Sequence, residues 1–194
     1  GPGASVVAGG TDLYPNMKRR HQTPKTLVAL RRVAELRGAS ETGDGGMRLG
    51  PAATLTSLER DPRLAEAYPA LATAIRSIST PLLRNMGTIG GNVLLDTRCN
   101  YYDQSHEWRR AIDFCMKCDG ETCWVAPGSD RCWAVQSSDS APVLIALGAR
   151  ARLASPRGVR ELPLEALYGP DGIQYLAKAP DEILTDLIVP PPGS

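Results

Sequence analysis

The sequence predicts an α+β protein of two lobes: a small α/β N-terminal lobe, and a second lobe on a largely antiparallel sheet with a cysteine-rich loop inserted. Three observations carry this. Strand and helix patterns alternate around a glycine turn at the start, alternating strands joined by tight turns dominate the end, and all five cysteines lie between Cys99 and Cys132. The expected boundaries are 1–50 for the first lobe, 51–190 for the second with 97–135 as the insertion, and 191–194 as a linker.

Taken in order, Val6-Val7-Ala8 ends abruptly at Gly9-Gly10-Thr11-Asp12, after which Leu13, Met17 and the basic group Lys18 to Arg20 continue as a helical turn. This reads as strand, glycine turn, helix start. Thr26 to Leu30 is a second strand, Val33 to Leu36 a short helix, and Met47 to Gly50 alternates as a strand does after the turn Gly43 to Gly46. From Thr56 to Ile78 the apolar positions recur at helical spacing, with Pro62 and Pro69 splitting the run into two helices. Thr56, with Glu59 three residues on, matches a capping box. Pro81 to Asp96 is glycine-rich again, and Val143 to Leu147 is an apolar segment after the cysteine stretch. Ala149 to Leu153 alternates and turns at Pro156-Arg157-Gly158 towards a hairpin partner at Val159 to Leu162. Ile183 to Val189 is the last strand, and the prolines after it form a stiff linker.

A chain of 194 residues can bury a substantial core. Its 22 Lys and Arg against 21 Asp and Glu give no bulk attraction to nucleic acid or an anionic membrane. No run of about 18 apolar residues exists to span a bilayer, and Gly1 to Ser5 lacks the regions of a signal peptide. A cytoplasmic protein is expected. An odd number of thiols confined to one stretch fits metal ligation better than a disulfide framework.

A dinucleotide brings a pyrophosphate that needs donors at close range, and glycine lets backbone N–H groups approach where a Cβ would collide. Gly9-Gly10-Thr11 offers this, although it matches neither Gly-x-Gly-x-x-Gly nor the P-loop pattern. Asp12 repels phosphate, so its expected role is to cap the following turn or to bond a ribose or backbone group. The second turn, Thr88-Ile89-Gly90-Gly91-Asn92, again presents hydroxyl, bare backbone and carboxamide. Two such turns are suited to clamp one extended cofactor.

Thiolate sulfur is a soft ligand, so converging cysteines favour zinc or an iron–sulfur cluster. Spacing alone does not choose, since only Cys115-Met116-Lys117-Cys118 forms a tight Cys-x-x-Cys pair. His106 is a further potential ligand, His21 has no role that its neighbours suggest, and Tyr101, Tyr102, Trp108, Trp124 and Trp133 read as a wall around the thiols.

Val7-Ala8-Gly9-Gly10-Thr11-Asp12-Leu13, Thr88-Ile89-Gly90-Gly91-Asn92 and Ser138-Asp139-Ser140-Ala141-Pro142, in this order, resemble the flavin-binding subunit of the xanthine oxidase family of molybdenum hydroxylases. Asp96 to Ser105, continuing through Trp108-Arg109 to Cys132, is similar to the insertion in the flavin subunit of 4-hydroxybenzoyl-coenzyme A reductase, which binds a 4Fe-4S cluster. The resemblance implies a two-lobed FAD-binding domain. It implies a flavin pyrophosphate loop at Val6, Val7, Ala8, Gly9, Gly10, Thr11, Asp12 and Leu13, and further FAD contacts from Thr88, Gly91, Asn92 and Asp139. Cluster ligands would be Cys99, Cys115, Cys123 and Cys132, with Cys118 unassigned. The implied function is electron relay between a ferredoxin-like carrier and partner subunits holding 2Fe-2S clusters and a molybdenum cofactor, with no catalytic residue in this chain. Family members carry an extra strand before the first turn and a C-terminal domain after Val189, so a fragment is expected. Two alternatives stand beside it: a zinc-stabilised nucleotide-binding or docking module without redox function, and the flavin subunit of an oxidising N-heterocycle or aldehyde hydroxylase.

Overall fold

The computed structural model describes residues 3–193; Gly1, Pro2 and Ser194, which begin the predicted first lobe and end the predicted linker, lie outside them. The chain starts as a small unit in which β1 (Ala4–Val7) and β2 (Thr26–Ala29) pair in parallel around α1 (Leu13–Lys18). All of β2 is exposed, so this unit buries little by itself.

A 3-10 turn at Ala34–Leu36 leads into β3 (Ala39–Glu41) and β4 (Met47–Leu49). These two strands join β5 (Arg150–Ser155), β6 (Gly158–Pro163) and β7 (Ile183–Val189) in an antiparallel sheet of order β3-β4-β7-β5-β6. The predicted hairpin is β5–β6, turning at Pro156 and Arg157. Strand β4, which the sequence pattern places in the first lobe (1–50), and β3, which it does not anticipate, therefore belong to the larger sheet. Period-two alternation explains its two faces. Met47, Leu49, Ala151, Leu153, Leu184 and Leu187 point into the core, while Arg48 and Arg152 pair with Asp186, and Arg150 with Glu161, on the other face.

Helices α2 (Leu55–Glu59), α3 (Pro62–Ala67), α4 (Pro69–Ser77), α6 (Ile89–Val93) and α8 (Ser140–Ala146) cover that core, while α5 (Pro81–Arg84) leaves Leu82 and Leu83 exposed. Both Pro62 and Pro69 open a helix, where the missing N–H costs nothing, so the run is three helices and not two. The cap of α2 is Thr54, whose side chain accepts from Ser57 N at 3.1 Å. Thr56 lies inside the helix and donates to Asn85, and Glu59 pairs with Arg84, so the expected capping box does not form. Between α6 and α8 the cysteine segment carries one helix, α7 (His106–Ala111), and is closed at its neck by the reciprocal backbone pair Arg98–Val135. Among the described residues no helix is long and apolar enough to cross a membrane.

Candidate functional site

The end of β1, the α5–α6 turn, the start of α8 and the segment before β7 enclose a cleft of about 620 Å³. That lies within the common range for small-molecule sites. All twelve residues expected to touch the cofactor line it: Val6, Val7, Ala8, Gly9, Gly10, Thr11, Asp12, Leu13, Thr88, Gly91, Asn92 and Asp139.

The two glycine turns do different work. Among the described residues, the amides of Gly9, Gly10 and Thr11 donate to no protein acceptor. Three unpaired donors at the rim of a cleft fit an anionic group such as a pyrophosphate. In the second turn the amides are engaged: Ile89 N bonds Ala53 O, Gly90 N bonds Pro51 O, and Gly91 N bonds the Thr88 hydroxyl as the cap of α6. The bare backbone expected there is absent because the glycines start a helix. Gly90 is glycine for packing, since a Cβ would sit 2.4 Å from Pro51 Cβ.

Asn92 is also committed. Its Oδ1 accepts from Ser138 Oγ at 2.8 Å, Ser140 Oγ at 2.6 Å and Ser140 N at 3.2 Å, pinning the Ser138–Ser140 segment to α6 and fixing Asp139 at the cleft wall. Asn92→Leu leaves the buried Ser138 and Ser140 without this acceptor. The expected loss is about 2–3 kcal/mol of stability, seen as a lower denaturant midpoint at unchanged slope. Asp12 occupies the N-cap position of α1 but makes no cap bond. Its carboxylate instead accepts from Asn16 and pairs with Arg98, joining the first turn to the start of the cysteine segment.

Several lining residues had no local signal in the sequence: Gln22, Asp96, Tyr175, Lys178 and Glu182. Tyr175 to Leu184 reaches the cleft only because β7 is threaded through the centre of the sheet. Burial pushes the Tyr175 phenol well above its usual range, with Asp96 and Asp12 adding to the shift. The Arg160 guanidinium holds the Glu182 carboxyl down at about 2. Because the folded value lies below the ordinary one of 4.5, this pair contributes stability above pH 4.5 that is lost as pH falls towards 2. Glu182→Gln is expected to flatten the acid limb of a pH–stability curve in that window, measured by urea unfolding.

None of the five cysteines is in a disulfide, and Cys115, Cys123 and Cys132 are buried. Met116 N bonds Thr122 O, Cys115 bridges Cys118 and Asp119 across a tight turn, and the Arg98–Val135 pair joins the two ends of the cysteine segment. Burial raises the Cys132 thiol, while the Ala134 amide and Lys117 pull the other way. Among the described residues no three His, Cys, Asp or Glu side chains converge so as to hold a single metal ion. Cys118 receives a bond from Arg109 Nη1 at 2.9 Å. His106 packs edge-on against Phe114, and His21 stacks on Tyr102 with Nε2 at 3.0 Å from Gln104 O. Tyr102 is buried, but Tyr101, Trp108, Trp124 and Trp133 are partly exposed, so the expected aromatic wall is incomplete.

Residues 1–192 match the family described as the FAD binding domain in molybdopterin dehydrogenase. The chain belongs to that family. It is 30% identical over 190 residues to the xanthine dehydrogenase FAD-binding subunit of Escherichia coli O157:H7, covering 98% of this chain and 51% of that one. It is 31% identical over 200 residues to the aldehyde oxidoreductase FAD-binding subunit of Escherichia coli K12, covering 98% and 63%. The fold matches the reconstituted CO dehydrogenase from Oligotropha carboxidovorans with a TM-score of 0.72 at 27% identity, over 99% of this chain and 53% of that one. The chain thus spans about half the length of several relatives it matches. The FAD-binding domain has the mixed helix and sheet architecture that the sequence implies.

Proposed function

We propose that this domain holds FAD in the cleft and a 4Fe-4S cluster on Cys99, Cys115, Cys123 and Cys132, and serves as the electron-relay part of a molybdenum-dependent oxidoreductase similar to 4-hydroxybenzoyl-coenzyme A reductase. The observation that carries the reading is the shared cleft: both glycine turns and Asp139 line it, and the cysteine segment leaves its wall after α6 and returns to it before α8. Orphaned amides at Gly9 to Thr11 are suited to the flavin pyrophosphate, and Thr88, Gly91, Asn92 and Asp139 form the opposite wall. FAD bound there would exchange one or two electrons, joining a two-electron substrate reaction to one-electron carriers.

Four-iron clusters take one thiolate per iron, so their ligands surround a volume and do not converge on a point. The support for a cluster is the spacing of Cys99, Cys115, Cys123 and Cys132, which resembles that of the reductase insertion. Among the described residues no set of three or more His, Cys, Asp or Glu side chains converges on a single ion, so the choice of cluster over zinc rests on that spacing. Partners would be subunits bearing 2Fe-2S clusters and a molybdenum cofactor, with a ferredoxin-like protein as external carrier and the cytoplasm as location.

The names of the relatives favour a second reading. Xanthine dehydrogenase, aldehyde oxidoreductase and nicotine 6-hydroxylase subunits are all among them, and all suggest an oxidising hydroxylase. Co-purification of the full-length protein with its partners, followed by anaerobic flavin spectra, separates the two. Bleaching by reduced ferredoxin supports the reductase, and bleaching by an aldehyde or N-heterocycle supports the hydroxylase.

A further inference from the structure

The contact between the cleft and the cysteine segment is a buried ion pair, Asp96 with Lys117, that belongs to neither set of expected cofactor ligands. Asp96 lines the cleft, and its carboxylate collects donors from three parts of the chain: Gln22 Nε2 of the first unit at 3.1 Å, Tyr102 OH at 3.1 Å and Lys117 Nζ at 2.9 Å. Its own neighbour Thr97 N adds a fourth at 2.9 Å. Lys117 comes from the loop between Cys115 and Cys118. Its ammonium spends its donors on Asp96, Thr97 Oγ1 at 2.8 Å and Gly172 O at 2.8 Å, beneath the rings of Tyr102 and Tyr175 at 4.9 and 5.4 Å. The two side chains are 7% and 9% exposed.

Gly172 completes the joint. Its N–H donates to Cys132 O at 2.9 Å, and a Cβ there would lie 2.8 Å from Cys132 Sγ. Three residues later the same segment supplies Tyr175 to the cleft. One fixed positive and one fixed negative charge are therefore sealed between the thiols and the flavin wall, where low dielectric carries their fields further than in water. A buried pair is costly to form and rarely kept for stability alone, but it fixes geometry when every donor is used, as here.

We propose that Lys117 and Asp96 are positioning residues whose paired charges set the electrostatic potential at the flavin cleft on the side facing the cysteine segment. The inference rests on FAD occupying the cleft, and it does not depend on which metal the thiols hold. Reduction adds negative charge to flavin. A lone Asp96 carboxylate in the wall therefore disfavours reduction, and a lone Lys117 ammonium favours it.

The test uses the full-length protein, loaded with FAD, in wild-type, Lys117→Gln and Asp96→Asn forms, the two substitutions that keep hydrogen bonding and remove charge. Flavin midpoint potential is read by spectroelectrochemistry, FAD affinity by fluorescence titration, and folding by a melting curve. The potential is expected to fall in Lys117→Gln and to rise in Asp96→Asn, with FAD affinity weakened several-fold in both. Lys117→Arg, which keeps the charge, is expected to stay at the wild-type potential. Shifts of the same sign, or none, in folded protein would overturn the proposal, because a merely structural joint moves both variants alike. If Lys117→Gln does not fold, the direction in Asp96→Asn decides by itself. A wild-type protein that takes up no FAD sinks the functional reading and this inference together, whereas normal FAD uptake with like-signed shifts sinks only the inference.

Discussion

Gly9→Ala is expected to abolish FAD retention and to destabilise the domain by about 3 kcal/mol or more, the upper end of what overpacking costs. A Cβ at Gly9 would lie 2.1 Å from Met86 O, 2.8 Å from its carbonyl carbon and 3.0 Å from Gly87 Cα. These are backbone atoms, so relief requires the α5–α6 turn to retreat. That turn leads directly into Thr88 and Gly91 on the opposite wall of the cleft, and the Gly87 carbonyl accepts from Leu55 N in α2. The collision therefore spreads the cleft and strains its floor at once. Gel filtration followed by the flavin-to-protein absorbance ratio, with a melting curve on the same sample, checks both parts. Gly43→Ala, at a position with nothing within 4 Å, is the matched control and is expected to leave both unchanged. A Gly9→Ala protein with full flavin and wild-type melting would remove the close approach of the two turns from the account.

The second large effect falls on the thiols. Serine at Cys99, Cys115, Cys123 or Cys132 is expected to eliminate stable iron incorporation, because a neutral hydroxyl would replace a soft thiolate at one corner of the proposed cluster site. Cys118→Ser is expected to keep its iron. The Cys118 sulfur is already engaged by Arg109 and lies beside the Asp119 carboxylate at 3.4 Å. Arg109 is fully buried, and its other terminal nitrogen donates to the carbonyls of Arg19 and Arg20 at the end of α1. That gives Cys118 a structural setting, and its substitution is expected to lower the melting temperature without touching the metal content. Iron analysis of the five variants after anaerobic reconstitution checks the pattern. Equal loss in all five, or in none, contradicts the assignment.

Local chemistry explains which parts of this molecule could be read in advance. The turn after β1, the β5–β6 hairpin and the final strand each announce themselves within ten residues, through glycine, alternation or a turn pair. Gly9 and Thr88 stand out from their glycine turns, whereas Asp139 is singled out only through the family resemblance; all three line the cleft. Pairing between distant segments was not. Nothing near Met47 says that β4 lies beside β7, and nothing near Asp96 says that a lysine 21 residues on will reach back to it. The second turn was misread in its detail because glycine beside glycine suggests an open loop. A preceding Thr88 hydroxyl, aimed at the Gly91 amide, makes it a capped helix instead. Likewise the capping role expected of Asp12, as an alternative to bonding a ribose or backbone group, is not taken up: its carboxylate accepts from the Asn16 side chain and pairs with Arg98 from the neck of the cysteine segment.

These contacts make the cysteine segment more than an appendage. Asp12 with Arg98, Arg19 with Asp103, Gln22 with Asp96, and Arg109 with the end of α1 hold the first unit against it. With β2 exposed throughout, this polar seam, the stacking of His21 on Tyr102, the burial of Val7 and the close approach of the two turns at Gly9 hold that unit beside the cleft. Flavin binding and the order of the cysteine segment should accordingly rise and fall together.

The most direct test of the whole account is the metal and flavin content of the full-length protein, purified without oxygen, by elemental analysis, sulfide assay and flavin absorbance on one sample. The account predicts about four irons with matching sulfide, as a 4Fe-4S site requires, and one FAD per chain. One zinc per chain without iron or sulfide, or a colourless protein that takes up no FAD, would contradict it.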